Sequence, residues 1–208
     1  MTQQATEPAP VLRRAPNALS VVRLVLAPVL LALAWFGHPR AFLVCFTASL
    51  LTDLADGFLA RRFHETSELG AKLDSWGDLA MYLTLPPSAW WLWPDLIMQE
   101  APFVALALVS FVLPTLIGLV KFRRATSYHT YGAKLSAVIM GPAMLVLFAF
   151  GLAWPFRIAT FVFALAEIEE IAITAVLPRW HADVRSIVQA RRLARADQVA
   201  ATRRGDRG

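Results

Sequence analysis

The chain has a single cysteine, Cys45, so no internal disulfide can hold it together. Its four histidines, His38, His64, His129 and His181, are scattered and match no spacing of a histidine metal site. Charge is scarce as well: 17% of the 208 residues are Asp, Glu, Lys or Arg, against 57% that are hydrophobic. So apolar a composition excludes an ordinary soluble domain, and the length excludes two large ones. The formal charge of +5 sits mostly at segment ends and in the C-terminal tail. No basic patch is interleaved with aromatics, so nucleic acid is not an expected partner.

What the sequence has in quantity is apolar runs near the ~20 residues that cross a bilayer core. Six candidate spans lie over 18–37, 41–61, 70–93, 102–120, 132–153 and 156–177, the third with an expected bend at Pro86-Pro87. The fold expected is all-α: a polytopic membrane protein with six transmembrane helices. The first run follows Arg13 and Arg14, as in a signal peptide. It is too long for a signal peptide's apolar core and lacks a small-x-small cleavage site, so it reads as a retained span.

Orientation follows from the basic residues. With the N-terminus inside, 17 of the 20 Lys and Arg fall in or beside cytoplasmic segments, which predicts N-in/C-in. Trp35, Trp90, Trp91, Trp93 and Trp154 then form an outer aromatic belt. The expected organisation is a flexible cytoplasmic N-terminus (1–15), a six-helix membrane domain (16–178) and a basic cytoplasmic tail (179–208). In the tail, Arg185, Arg191, Arg192 and Arg195 alternate with Val184, Ile187, Val188 and Leu193. That pattern predicts an amphipathic helix on the inner leaflet, with membrane lipids as partners. Residues Ala200 to Gly208 are expected to lack fixed structure.

Two spans break the rule against charge at membrane depth. The second contains Asp53 and Asp56, the third Asp74 and Asp78. A buried carboxylate there costs about 2.5–3.5 kcal/mol on insertion scales, so it needs a partner or a function. Helical spacing puts Asp53, Asp56, Gly57, Ala60 and Arg61 on one stripe, and Gly70, Asp74, Gly77 and Asp78 on another. Each helix therefore sets carboxylates beside residues with little or no side chain, leaving room for a ligand near the backbone. The loop from His64 to Leu69 is short, so the two helices are antiparallel neighbours whose acidic stripes can converge. Four oxygen donors without histidine or thiol suit Mg²⁺, Mn²⁺ or Ca²⁺. A dication near Arg61, a residue suited to bidentate phosphate binding, points to diphosphate chemistry. The plainer alternative is that the acids pair with buried bases, Arg23 and Lys134 being the candidates, or line an ion path.

At these residues the chain resembles the CDP-alcohol phosphatidyltransferase family. Its signature, Asp-x2-Asp-Gly-x2-Ala-Arg-x8-Gly-x3-Asp-x3-Asp, is met without departure by Asp53, Asp56, Gly57, Ala60, Arg61, Gly70, Asp74 and Asp78. The segment from Pro16 to Arg23 is also similar to the family's entry into its first helix. The resemblance implies an integral membrane enzyme of phospholipid biosynthesis, in the inner or plasma membrane, with its site facing the cytoplasm. Two divalent ions, Mg²⁺ or Mn²⁺, are implied, held by Asp53, Asp56, Asp74 and Asp78. Asp78 is implied as general base for the acceptor hydroxyl. Asp56, Gly57, Ala60, Arg61 and Gly70 are implied to receive the cytidine nucleotide and diphosphate of CDP-diacylglycerol or another CDP-alcohol. A homodimer is implied too.

Other residues carry weaker signals. Lys134 and Arg123 are candidate phosphate contacts, with snorkelling and topology anchoring as their alternatives. Glu167 and Glu170 share a face with Glu169 beside it, and either shape an acceptor pocket or make a helix contact. The acceptor alcohol stays open. Many members that use glycerol 3-phosphate carry Lys after the third and fourth aspartates, where this chain has Ser75 and Leu79. Bacterial inositol-phosphate enzymes often have Ser and Arg there, and Ser75 alone agrees. The serine-using members' Ser-Phe-Gly run is replaced by Leu79-Ala80-Met81. Glycerol 3-phosphate leads because that activity is widespread, ahead of inositol phosphate or another alcohol. The rival classes are an intramembrane prenyltransferase and a divalent-metal transporter.

Overall fold

The computed structural model describes the chain outside residues 1–14, 64–67, 124–127, 129, 182–183 and 206–208, and side chains outside 15–20, 54–63, 68–75, 78 and 199–205 as well. The segment expected to be flexible before Ala15 therefore lies outside the described residues. Among those described, the chain is helical throughout and has no strand. The helices are α1 (Ala15–Trp35), α2 (Pro39–Phe63), α3 (Glu68–Leu92), α4 (Pro94–Gln99), α5 (Ala101–Phe122), α6 (Tyr131–Phe150), α7 (Trp154–Val176) and α8 (Ile187–Gly205).

Six of these, α1–α3 and α5–α7, lie where the six spans are expected. Among the described residues, α5 and α6 are long and apolar enough to cross a membrane, and α1 adds a shorter apolar stretch, Val21–Trp35. α2, α3 and α7 interrupt their apolar runs with ionisable residues. Helix α3 continues as one element through Pro86 and Pro87. The short α4 has no counterpart in the sequence reading. Its Trp93-Pro94 start stops α3 and sets up a new first turn, a position where proline's missing N–H costs nothing.

The helices fall into two compact units, Met1–Met98 and Gln99–Gly208. In the first, α1 packs against both α2 and α3. Each helix turns a stripe of helical period inward: Arg23, Ala27, Leu30 and Ala34 on α1, Phe42, Phe46 and Ser49 on α2, Met81, Thr84 and Ser88 on α3. The small members of these stripes, Ala27, Ala34, Ser49 and Ser88, leave room for close helix approach, and Phe42, Phe46 and Leu30 fill the remaining space. At the end away from the aspartates, Trp35 and Trp91 meet edge to face at 4.9 Å, and Phe42 meets Trp93 at 5.7 Å. The tryptophans expected in a belt thus cluster here in part.

In the second unit, α7 packs against α5, α6 and α8. Two polar clasps hold α5 and α7 at matching ends. At their starts, Arg157 donates from Nε and Nη2 to the two oxygens of buried Glu100, at 2.8 and 2.6 Å. Arg157 also lies over the Phe103 ring. At their far ends, Lys121 Nζ donates to the carbonyls of Thr174 and Ala175 at 2.7 and 2.9 Å. Those carbonyls belong to the last turn of α7, where helical partners run out. Helix α6 comes close to α7 at Gly132, where a Cβ would stand 3.1 Å from the Ala166 methyl.

The tail departs from expectation in two ways. Helix α8 continues to Gly205, so Ala200–Gly205 is helical rather than without structure. Alanine and arginine dominate this stretch, and both favour helix. The apolar residues of the tail are also largely spent on protein. Val184 and Ala190 are buried with Tyr128, Ile173 and Leu177, and Ile187 and Leu193 pack against them. Val188, Arg191, Arg192 and Arg195 face outward.

Candidate active site

The signature residues lie on α2 and α3, the two helices flanking the short 64–67 connection. Asp53 is the one motif aspartate whose side chain is described. The side chains of Asp56, Gly57, Ala60, Arg61, Gly70, Asp74 and Asp78 lie outside the described residues, while their backbones lie within α2 and α3. Those positions are informative because α2 and α3 touch at a point close to them. The Ser49 hydroxyl donates to the Met81 sulfur at 3.7 Å, with both residues buried.

This contact fixes a register. Ser49 is one turn before Asp53 on the same face of α2, and Met81 is one turn after Asp78 on the same face of α3. Counting from Ser49 and Met81 towards the connection at equal rise, position 53 comes level with 77–78 and position 56 with 74. Counted this way, the four aspartate positions fall at similar levels along α2 and α3.

Asp53 has one resolved partner. Arg23 of α1 reaches it, with Nη2 at 2.9 Å from Oδ1. The two ends differ sharply: the Arg23 side chain is 3% exposed and that of Asp53 56% exposed. The plainer alternative, an acid paired with a buried base, is thus correct for this one contact. It does not use up the carboxylate, which stays largely open. Lys134, the other base considered, is exposed on α6.

A divalent cation would meet a suitable donor set at these positions. Carboxylate oxygens without nitrogen or sulfur are the chemistry of Mg²⁺ and Mn²⁺ sites. Among the described residues no three Asp, Glu, His or Cys side chains gather as a metal site, and three of the four motif aspartates lie outside that set.

The residues with weaker signals lie in the second unit. Arg123 ends α5 in the left-handed conformation (φ 53°), its N–H donating to the Leu119 carbonyl. Lys134 lies in the first turn of α6, which Thr130 caps by accepting from the Ala133 N–H. Glu169 accepts from the Ile187 N–H at the start of α8. Glu170 is buried, with its carboxyl beside the Tyr128 N–H. Glu167 is half-buried one turn before it. For Glu169 the helix-contact alternative therefore has a direct contact behind it, whereas Glu170 meets the connection between α5 and α6. Sequence reasoning missed two things here. It did not pair Glu100 with Arg157, although an acid just before one span and a base in the first turn of another is a readable signal. It also treated the tail's apolar residues as lipid-facing.

Among the described residues the chain is helical, with the aspartates of the motif carried on two consecutive helices, as the family resemblance implies. The sequence model described as CDP-alcohol phosphatidyltransferase matches residues 13–199. The chain belongs to the CDP-alcohol phosphatidyltransferase family and is a phosphotransferase acting in phospholipid biosynthesis. It is similar to a probable phosphatidylglycerophosphate synthase of Mycobacterium tuberculosis, 30% identical over 176 residues, 77% of each chain. It is also similar to the CDP-diacylglycerol–glycerol-3-phosphate 3-phosphatidyltransferase of Cereibacter sphaeroides, 41% identical over 70 residues, 32% of each chain. A third relative is the CDP-diacylglycerol–inositol 3-phosphatidyltransferase of Saccharomyces cerevisiae, 40% identical over 62 residues, 28% of this chain and 26% of the yeast one. No solved structure gives a significant match.

Proposed function

We propose that the chain transfers the phosphatidyl group of CDP-diacylglycerol to the primary hydroxyl of glycerol 3-phosphate, releasing CMP. The acceptor assignment leans on the mycobacterial relative, whose similarity covers 77% of both chains, whereas the inositol-using yeast relative matches over 28% of this one. The observation that supports the chemistry is the Ser49–Met81 contact, from which the aspartate positions of α2 and α3 count to similar levels.

Asp78 takes the proton of the acceptor hydroxyl. The acceptor oxygen forms a new bond to the phosphorus that bears the lipid alcohol, the P–O bond to CMP breaks, and CMP departs with the electron pair. Gly57 and Ala60 leave the α2 backbone open to the nucleotide, and Arg61 holds the diphosphate in a bidentate grip. Asp53, Asp56, Asp74 and Asp78 would hold a pair of Mg²⁺ or Mn²⁺ ions, which supply charge neutralisation at the phosphoryl oxygens. Six spans, both termini inside and a cytoplasm-facing site fit the distribution of Lys and Arg. Lys134 and Arg123 are the candidate contacts for the acceptor's own phosphate, and a homodimer is the assembly proposed.

An acceptor screen tests this. Purified protein with Mn²⁺ or Mg²⁺ and CDP-diacylglycerol is offered glycerol 3-phosphate, inositol 1-phosphate, inositol and serine, and CMP release is read for each. CMP release with glycerol 3-phosphate well above the others is expected. Release only with an inositol acceptor would move the assignment to that branch. Metal flux into liposomes without CMP release from any acceptor would sink the enzyme reading.

A further inference from the structure

We infer that the outward stripe of α8 binds the anionic phospholipid headgroups of the bilayer surface by charge, without apolar insertion. The inference rests on the reading of the long helices of this unit as membrane spans.

At helical pitch, Val188, Arg191, Arg192 and Arg195 fall within an arc of about 100° on α8. All four are exposed. Asp197, the acid within this helix, lies on the opposite side, where it meets His181 at 3.0 Å. Among the described residues no carboxylate pairs with the three arginines. The stripe therefore presents three guanidinium groups with no acid of the protein to offset them.

Two observations select the bilayer as the partner. The first is place. Val184 and Ala190 are buried with Ile173 and Leu177, so the start of α8 is packed against the end of α7. The connection between them exposes Arg179 and Trp180, residue types that gather where a chain leaves the membrane. The second is the division of faces. A helix that inserts into lipid needs an apolar face of its own. In α8 that face is taken by the protein, with Ile187 and Leu193 packed on the same cluster as Ala190. Val188, at 57% exposure, stands as a single apolar residue among the arginines. What remains for the lipid is charge. Each basic residue near an anionic membrane surface raises affinity by about fivefold, through bonds that guanidinium groups form well with phosphate.

Electron paramagnetic resonance on full-length Cys45→Ser protein tests this. One spin label is placed at Val188→Cys, and another, on separate protein, at Val112→Cys midway along α5. Each protein is reconstituted in nanodiscs of phosphatidylcholine alone or mixed with phosphatidylglycerol. Accessibility to oxygen and to a water-soluble nickel chelate gives the depth. The label at 188 should be held at headgroup level when phosphatidylglycerol is present, and be mobile in water without it. Added salt should release it. Joint Arg191→Gln, Arg192→Gln and Arg195→Gln substitution should lower the held-to-free ratio by about tenfold or more, with unchanged melting. A label at 188 that stays in water in both bilayers, while that at 112 lies deep, overturns the inference and leaves the spans standing. So does a triple variant that is held as firmly as the parent. Entry of the 188 label into the acyl layer of pure phosphatidylcholine overturns it in favour of insertion. A label at 112 in water overturns the membrane reading, and the role of α8 falls with it.

Discussion

The two units differ in the partners that their described charged groups meet. In Gln99–Gly208 several charged side chains close on groups of the same unit: Glu100 with Arg157, Lys121 with the end of α7, Glu169 with the start of α8, His181 with Asp197 at 3.0 Å. In Met1–Met98, the described carboxylate of the motif is held by one buried base and otherwise left open. A membrane protein closes its polar groups on each other where they serve the fold, because an unpaired one is expensive there. It leaves them open where a ligand is to complete them.

That contrast predicts that substitutions in the first unit remove activity with little change in melting, and those in the second lower melting with little change in chemistry. The largest effect should come from Asp78→Asn. Loss of a general base costs about 10²–10⁴-fold, so kcat should fall by that much while CDP still protects the protein from thermal unfolding. Near-normal turnover would remove Asp78 from that role. Next comes Arg61→Ala, which should raise KM for the CDP donor by about tenfold and leave the acceptor KM nearly unchanged, since charged hydrogen bonds contribute about 1.5–3 kcal/mol. A shift confined to the acceptor would place Arg61 elsewhere in the reaction.

In the second unit, Gly132→Val should destabilise by about 1–3 kcal/mol, because Ala166 belongs to the α7 backbone wall and cannot swing aside. Its kcat per folded molecule should hold, and a collapse of kcat at unchanged melting would break the comparison. The smallest effect is expected from Glu100→Gln. Hydrogen bonds from Arg157 hold the Glu100 carboxyl below its ordinary value of 4.5, outweighing the opposing pull of burial. The stabilisation is therefore complete above that range and fades as pH falls through the lower folded value. The variant should melt a few degrees below the wild type at neutral pH, and the gap should narrow in acid. A gap that widens on acidification would mean that Glu100 does not act through its charge.

Much of this was legible in the chain itself. The six long helices follow from runs of apolar residues, and the family follows from eight positions whose spacing leaves little to chance. Local rules reach that far because helix periodicity and bilayer thickness are properties of a segment alone. They fail at α4, where Pro94 starts a new helix inside what reads as a linker, and at the tail. Val184, Ile187 and Leu193 look the same in sequence whether they meet lipid or the end of α7. Both surroundings are apolar, and only the packing tells them apart.

The sequence alone determined the helical class, the aspartate motif and, through them, the kind of reaction, since those depend on residue type and spacing within single helices. The tertiary structure decided which partner each ionisable group meets: Arg23 from α1 at Asp53, Arg157 from α7 at Glu100, and Ser49 against Met81 to set the level of α2 on α3. These are contacts between helices, and no residue's own segment carries the information about which neighbour will face it.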